Sequence, residues 1–302
     1  MLEEEIFKIF PQKLLKELAV YLDNSKLQEI RLKEGKYVIL YLGEREIVNN
    51  YKVTRADIKF ILQRISNYSL FAFEDEIKQG FITMKGGHRI GLAGECVMDG
   101  DDVRTIKNIT SLNIRLCKQI IGCSKKVVPY IVEEGEVKNT LIISPPKCGK
   151  TTLLRDIVRD ISQNYKKKVV VVDERSEIAA CYEGVPQMTL GIRTDVLDNC
   201  IKSKGMIMAI RSLSPEVIVC DELGTDNDIA ALMMAYNSGV KIITSIHGYG
   251  IDDLKNRRIF KDVIDNNILE RIIILSNREG AGTIEGVYSN SQEDLDKWLK
   301  LF

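Results

Sequence analysis

The sequence predicts an α/β fold in two parts: a larger domain on a parallel-rich sheet, preceded by a smaller α+β domain. The larger part is predicted by Thr140-Leu141-Ile142-Ile143, Val169-Val170-Val171-Val172 and Val217-Ile218-Val219-Cys220. These are short, unbroken apolar runs rich in β-branched residues, as expected of strands buried on both faces of a parallel sheet. The smaller part is predicted by a different pattern over the first 120 residues or so, where apolar and polar residues alternate between glycine turns, as in antiparallel hairpins.

A chain of 302 residues is long enough for two domains that each bury a core. Its 43 basic and 43 acidic residues cancel, so no global field draws it to nucleic acid or to an anionic membrane surface. The seven cysteines (96, 117, 123, 148, 181, 200 and 220) show no Cys-x-x-Cys spacing, which fits reduced thiols in a cytoplasmic protein better than disulfides or zinc. The N-terminus lacks a basic stretch followed by an apolar one, so no secretory leader is expected. No run reaches the ~18 apolar residues of a membrane span, so any membrane role is expected to need a partner.

Pro11 interrupts the helical spacing of Ile6 to Leu22, predicting a short turn and then a helix from Gln12. Leu27–Leu32 and Tyr37–Leu42 form a predicted hairpin across Glu34-Gly35-Lys36, and Gly43 turns the chain into Glu46-Ile47-Val48. Thr54 and Asp57 have capping-box spacing ahead of Ile58, Ile61, Leu62 and Ile65, which share one helix face. Two further strands are expected around Gly86-Gly87, the second carrying Arg89, and another over Ser111–Leu116 carrying Arg115. The character changes near Ile121–Lys126, where the domains are divided as 1–123 and 124–302. A short helix over Val127–Val132 and Glu133-Glu134-Gly135 should lead into the first strand of the second domain.

That strand ends in Ser144-Pro145-Pro146-Lys147-Cys148-Gly149-Lys150-Thr151-Thr152, and an amphipathic helix follows. Strand, loop and helix N-terminus together aim unpaired N–H groups and the positive helix end at one point, which is a phosphate site. Lys150 would charge-pair with β/γ-phosphates and the Thr151 hydroxyl would ligate Mg²⁺, so ATP and Mg²⁺ are the expected cofactors. Ser144 stands where such loops usually begin with glycine, and a tight turn there would weaken nucleotide binding. The run Val169–Val172 delivers Asp173 and Glu174, and Val217–Cys220 delivers Asp221 and Glu222 in the form of a Walker B strand. Asp221 would support Mg²⁺, and Glu222 would polarise the attacking water. Val240–Gly248 makes a third strand ending in hydroxyls and His247, which either senses the γ-phosphate or is a satisfied strand-end histidine. Arg193 and Arg211 lie between these strands, suited either to γ-phosphate contact within or between subunits or to structural ion pairs. Ile229–Tyr236 should cover the sheet as a helix. Ile268–Leu275 and Gly282–Tyr288 should close it as a hairpin, with a short helix from Gln292.

In this order the segments resemble the stage III sporulation protein AA family, relatives of the hexameric ATPases of type II and type IV secretion. The resemblance spans nearly the whole chain. It rests on Gln79–Thr83, Gly86–Leu92, Ser111–Arg115, Val172–Ile178, Arg193–Asp198 and Arg211–Pro215. It implies a RecA-like P-loop NTPase core and ATP hydrolysis between subunits of a homo-oligomeric, hexameric ring. Asp173, Glu174 and Glu177 match the relatives' acidic box, with Asp-Glu in place of Glu-Asp, so which acid is the base stays open. His247 matches their histidine box. Arg115 falls where they send an N-terminal-domain arginine to the nucleotide. The resemblance further implies a motor on the mother-cell side of a channel complex between mother cell and forespore, docked by membrane-embedded stage III sporulation proteins. Two other functions fit the residues: a nucleotide-gated scaffold with weak hydrolysis, suggested by Ser144, and a nucleic-acid-stimulated RecA-like ATPase. Neutral charge and the lack of an aromatic-basic stripe argue against the last.

Overall fold

The computed structural model describes residues 3–22, 24–69, 73–290 and 298–300. The chain divides into two units, one of Met1–Lys118 with Ala180–Gln187 and one of Gln119–Ala179 with Met188–Phe302. The helix expected from Gln292 begins outside the described residues.

The first unit is an antiparallel sheet with helices on one face. Its strands are β1 (Leu27–Lys33), β2 (Tyr37–Leu42), β3 (Arg45–Lys52), β4 (Phe81–Met84), β5 (His88–Asp99) and β6 (Asp102–Arg115), in the spatial order β3-β2-β1-β6-β5-β4. Alternation sorts the two faces. Ile82, Ile90, Ile114, Ile30, Leu40 and Ile47 face one another across all six strands. The first five of these are fully buried. The next row, Thr83, Arg89, Arg115, Glu29, Tyr41 and Glu46, points the other way and is polar. Helix α1 (Glu3–Phe7) ends before Pro11, and α2 (Gln12–Leu22) follows it as the proline predicts. Helices α2, α3 (Arg55–Ile65) and α4 (Glu74–Lys78) close the core through Leu14, Leu18, Ile58, Ile61 and Ile77. Thr54 caps α3 as expected. Its hydroxyl accepts from the Asp57 N–H at 3.2 Å, and Asp57 Oδ2 accepts from the Thr54 N–H at 2.8 Å.

Beyond the expected strand segments, β5 and β6 continue as one long hairpin to the pair Asp99 and Asp102. The extension was hidden in the sequence because its residues are exposed or half-buried on both faces, so no one-sided apolar alternation marks it. Ala180–Gln187 also belongs to this unit, where the Gly86 N–H donates to Gln187 Oε1 at 2.8 Å.

In the second unit a short helix, α5 (Val128–Ile131), and a small hairpin, β7 (Val132–Glu133) with β8 (Glu136–Val137), precede the main sheet. That sheet consists of β9 (Thr140–Ser144), β10 (Val169–Asp173), β11 (Thr194–Asp198), β12 (Val217–Cys220), β13 (Lys241–His247), β14 (Arg271–Ser276), β15 (Thr283–Asn290) and β16 (Trp298–Lys300). The order is β11-β10-β12-β13-β9-β14-β15-β16, parallel from β11 through β14 and antiparallel for the last two. Every residue of β9, β10 and β12 is buried, as their unbroken apolar runs require. Helices α7 (Lys202–Ser212) and α8 (Asp226–Asn237) cover one face, sharing a cluster with Leu141, Val170, Val172 and Ile218. Helix α6 (Lys150–Gln163) packs against β10 and β11.

Among these elements β11 and α7 carry no sequence prediction, β16 none as a strand, and the β7–β8 hairpin forms where the expected helix would have run on to Gly135. Strand β11 is a sheet edge with only Val196 and Leu197 apolar, so it lacks the signature of its neighbours. Helix α7 holds Gly205, a poor helix former. The glycine is there for close approach: a Cβ built on it would lie 2.4 Å from Val172 Cγ1.

One buried anchor of this unit has a measurable signature. Asp156, on α6 and 1% exposed, accepts from the Ser124 N–H at 2.8 Å, the Ser124 hydroxyl at 2.7 Å and Arg159 Nε at 2.7 Å. Burial pushes its carboxyl upward, but the Ser124 and Arg159 bonds outweigh it and hold the group down at about 2, against an ordinary 3.8. A depressed acid stabilises the fold above its unfolded value and loses that contribution as pH falls through its folded one. Asp156→Asn should therefore cost about 2 kcal/mol at neutral pH. In urea titrations the gap from the wild-type chain should close between about pH 4 and pH 2. A gap independent of pH would show that the carboxylate's charge contributes nothing.

Candidate nucleotide site

The strand order sets β12, β13 and β9 side by side, with β10 next to β12. Their carboxyl ends therefore bring the loop after β9, the Asp221-Glu222 pair, the Ser245–His247 segment and the Asp173-Glu174 pair to one edge, where open parallel sheets bind ligands.

Ser144 is the last residue of β9, buried and paired in register with His247. The left-handed turns fall later, at Lys147 (φ 63°) and Gly149 (φ 79°). Position 144 therefore imposes no demand for glycine, which removes the reason for expecting weak binding from Ser144. Gly149 is the residue that must be glycine: it is left-handed, and an added Cβ would lie 3.2 Å from the Gly282 nitrogen. The Gly282 N–H in turn donates to the Cys148 carbonyl at 2.8 Å, fixing the loop against the β14–β15 hairpin. Pro145 is half-buried, Pro146 exposed and Cys148 buried, while Thr152, half-buried, follows in the first turn of α6.

Lys150 opens α6 and is 6% exposed. Its ammonium donates to Asp221 Oδ1 at 2.9 Å and Glu222 Oε1 at 2.8 Å. The Thr151 hydroxyl donates to Asp221 Oδ2 at 2.9 Å, and the Ser245 hydroxyl donates to Asp221 Oδ1. Burial raises the Asp221 carboxyl, yet Lys150 with the hydroxyls of Ser245 and Thr151 brings it below the usual range. Glu222 is lowered in the same way, burial being outweighed chiefly by Lys150. Glu222 also sits at φ 50°, a left-handed conformation that costs a non-glycine residue about 1–2 kcal/mol. It is held there by its N–H, which donates to Ser245 Oγ at 3.0 Å, and by its carboxylate, which meets His247 Nε2 at 2.7 Å and Arg175 Nη1 at 3.5 Å. Strain of this kind persists only where the surroundings over-determine it. The oxygens of Thr151 and Asp221 form a hard-donor pair of the kind that suits Mg²⁺.

The two acids after β10 differ. Asp173 is 3% exposed, and both its oxygens are taken, Oδ1 by the Glu177 N–H at 2.9 Å and Oδ2 by the Ala179 N–H at 2.7 Å. Burial raises its carboxyl to about 6, against the pull of those backbone bonds and with Asp198 adding to the rise. It staples the loop that carries Glu174, a loop also gripped by Arg155, whose Nη2 and Nε donate to the carbonyls of Glu177 (2.7 Å) and Ile178 (2.6 Å). Glu174 is half-buried and pairs with Lys202.

The arginines lie elsewhere. Arg193 is bound to the far end of α6, its N–H donating to Ser162 Oγ at 3.0 Å and its Nη1 to the Ser162 carbonyl at 3.2 Å. That is about 18 Å along the helix from Lys150. Arg211 is exposed in the last turn of α7, at the opposite end of the helix from Lys202. Arg115 belongs to the first unit, exposed at the end of β6 between Arg89 and Glu29. Sequence reasoning assigned no role to Lys202 or Arg175, and it took Ser245 as one of the strand-end hydroxyls able to sense the γ-phosphate, not as a bond to Asp221 and Glu222. None of the three stands in a spacing that marks it.

Residues 2–295 match the family described as "Sporulation stage III, protein AA". The chain belongs to this family. Stage III sporulation protein AA of Bacillus subtilis is 38% identical over 300 residues, 97% of each chain. A more distant relative, the uncharacterised protein ycf45 of Porphyra purpurea, is 23% identical over 86% of this chain and 43% of its own. Among solved structures, the Legionella pneumophila ATPase DotB aligns with a TM-score of 0.61 over 88% of this chain and 76% of its own, at 14% identity. The pilus retraction motor PilT with bound ADP aligns at 0.60 over 87% and 76%, also at 14% identity. At such identity the likeness is one of fold alone, and it supports the RecA-like α/β fold expected of this chain.

Proposed function

We propose that this sporulation stage III AA protein is a Mg²⁺-dependent ATPase of the secretion-motor type, working as a ring with nucleotide between subunits. The observation that carries the reading is the bonded network of Lys150, Thr151, Asp221, Glu222, Ser245 and His247 at the ends of three adjacent strands. Ser245 holds Asp221 and Glu222 in place, and the other members have tasks in phosphoryl transfer. Lys150 would take β- and γ-phosphate oxygens, and Thr151 and Asp221 would hold Mg²⁺, which would neutralise developing charge. Glu222 or Glu174 orients and deprotonates the attacking water, and His247 turns with Glu222 when the γ-phosphate leaves. Asp173 shapes the loop beneath Glu174. Arg193 and Arg211, remote from the Lys150 end of α6, are assigned to a neighbouring subunit's nucleotide, and Arg115 to the nucleotide from the N-terminal unit. The scaffold reading loses its main support once Ser144 lies in the strand.

No helix among the described residues is long and apolar enough to cross a membrane. Membership of the sporulation family, not that absence, is the ground for placing the motor in the mother-cell cytoplasm, held at the membrane by stage III sporulation proteins of a channel between mother cell and forespore.

Turnover of Mg²⁺-ATP by the full chain should be measured against protein concentration, with mass followed by light scattering in ATP and in ADP. A rate per subunit that rises steeply as the mass reaches that of a ring is expected. A rate per subunit that stays flat while the ring forms would sink catalysis between subunits.

A further inference from the structure

Lys202 is the first residue of α7, and its ammonium pairs with Glu174 just past the end of β10. The first turn of a helix is an adverse place for a cation, because the positive end of the helix dipole lies there. Ile201 before it supplies no side-chain cap. Yet the Lys202 side chain is only 13% exposed. It is a cation held in a place that helix electrostatics disfavours, and the carboxylate of Glu174 is what compensates it.

The helix start cannot drift from that carboxylate. One turn on, Gly205 lets α7 lie so close to β10 that a Cβ would be 2.4 Å from Val172 Cγ1 and 3.2 Å from Cys200 Sγ. Val172, the second residue before Glu174, is paired in register with Cys220, the residue before Asp221. The ammonium thus sits beside Glu174 at the end of β10, the strand that runs in register with β12 and its Asp221-Glu222 pair.

We propose that Lys202 is a positioning residue of the hydrolytic site, fixing the Glu174 carboxylate at the end of β10 so that the two act as one unit. The proposal rests on the reading of Glu174 as an acid that serves the attacking water. In this role Lys202 acts only through Glu174, its ion-pair partner. Its loss leaves Glu174 free to swing, and a misplacement of about 1 Å in such a group costs up to about 100-fold in rate.

The test uses the full chain with Lys202→Met, Lys202→Arg, Glu174→Gln and the double variant Lys202→Met/Glu174→Gln. Steady-state ATP turnover, affinity for a fluorescent ATP analogue and thermal unfolding without nucleotide are measured on each. Lys202→Met should lower kcat about 10- to 100-fold with analogue affinity nearly unchanged. Lys202→Arg should restore most of the rate, and the double variant should be no slower than Glu174→Gln alone. Wild-type kcat in Lys202→Met, or losses that multiply in the double variant, would overturn the proposal. A wild-type chain that binds the analogue but turns over no ATP defeats the hydrolytic reading instead. Unfolding then decides for Lys202: a double variant melting no lower than the weaker single one keeps the pair as a unit, and additive losses in Tm overturn it.

Discussion

Lys150→Ala should abolish both nucleotide binding and turnover, and it should do so for more than the loss of one phosphate contact. The ammonium is the counter-charge that Asp221 and Glu222 share, at 2.9 and 2.8 Å. Removing it leaves two carboxylates on adjacent residues facing the place where phosphate oxygens would enter, and like charges so close repel the ligand. The same change should lower Tm without any nucleotide present, with a defined pH dependence. Asp221 is held below its ordinary value of 3.8, burial being overcome chiefly by Lys150. A depressed acid stabilises above its unfolded value, and that stability is lost as pH falls through the folded one. The Tm gap between wild type and Lys150→Ala should therefore be largest near neutrality and shrink below about pH 4. Isothermal titration with ATP and thermal scans from pH 7 to pH 3 check both parts. Retained ATP affinity in the variant would move the phosphate site away from the loop after β9.

How far the sequence revealed this arrangement depends on how local each signal is. The strands β9, β10 and β12 were legible because burial on both faces writes itself as an unbroken apolar run, and the residues that follow each run fall at the sheet edge by geometry alone. Pro11 and the Thr54–Asp57 box were legible for the same reason, each acting within one turn of chain. Ser144 misled because the loop's curvature is a property of the folded backbone: it falls on Lys147 and Gly149, while Ser144 stays extended in the strand. Lys202 was illegible for a related reason. Its partner is 28 residues away in sequence, and the close approach that brings them together depends on Gly205 facing Val172, which no periodicity announces. Arg193 shows the converse. An arginine between catalytic strands suggests a phosphate ligand in its own chain, yet here it is bonded to Ser162 at the far end of α6, which leaves the contact between subunits proposed above.

Glu222→Gln should reduce turnover by about 100-fold or more while leaving nucleotide affinity within a few-fold of wild type. Glutamine keeps the shape of the side chain and one oxygen able to accept from Lys150, so the phosphate end of the site is preserved. What it cannot do is take a proton from water, and it no longer offers His247 and Arg175 a charge. The backbone argues that position 222 is chemical as well as structural. A left-handed glutamate is held in place by a hydrogen bond from its own N–H to Ser245, and the same serine donates to Asp221. Such strain is costly to maintain for packing alone. Glu174→Gln in the same assay apportions the work between the two acids. If Glu222 is the base, its replacement dominates and Glu174→Gln has the smaller effect, through a water held less firmly. If Glu174→Gln loses about 100-fold while Glu222→Gln stays within threefold of wild type, the base lies on the loop after β10 and Glu222 serves to hold Lys150 and His247. Wild-type turnover in both variants would remove both acids from the chemistry and, with them, the hydrolytic reading of this edge of the sheet.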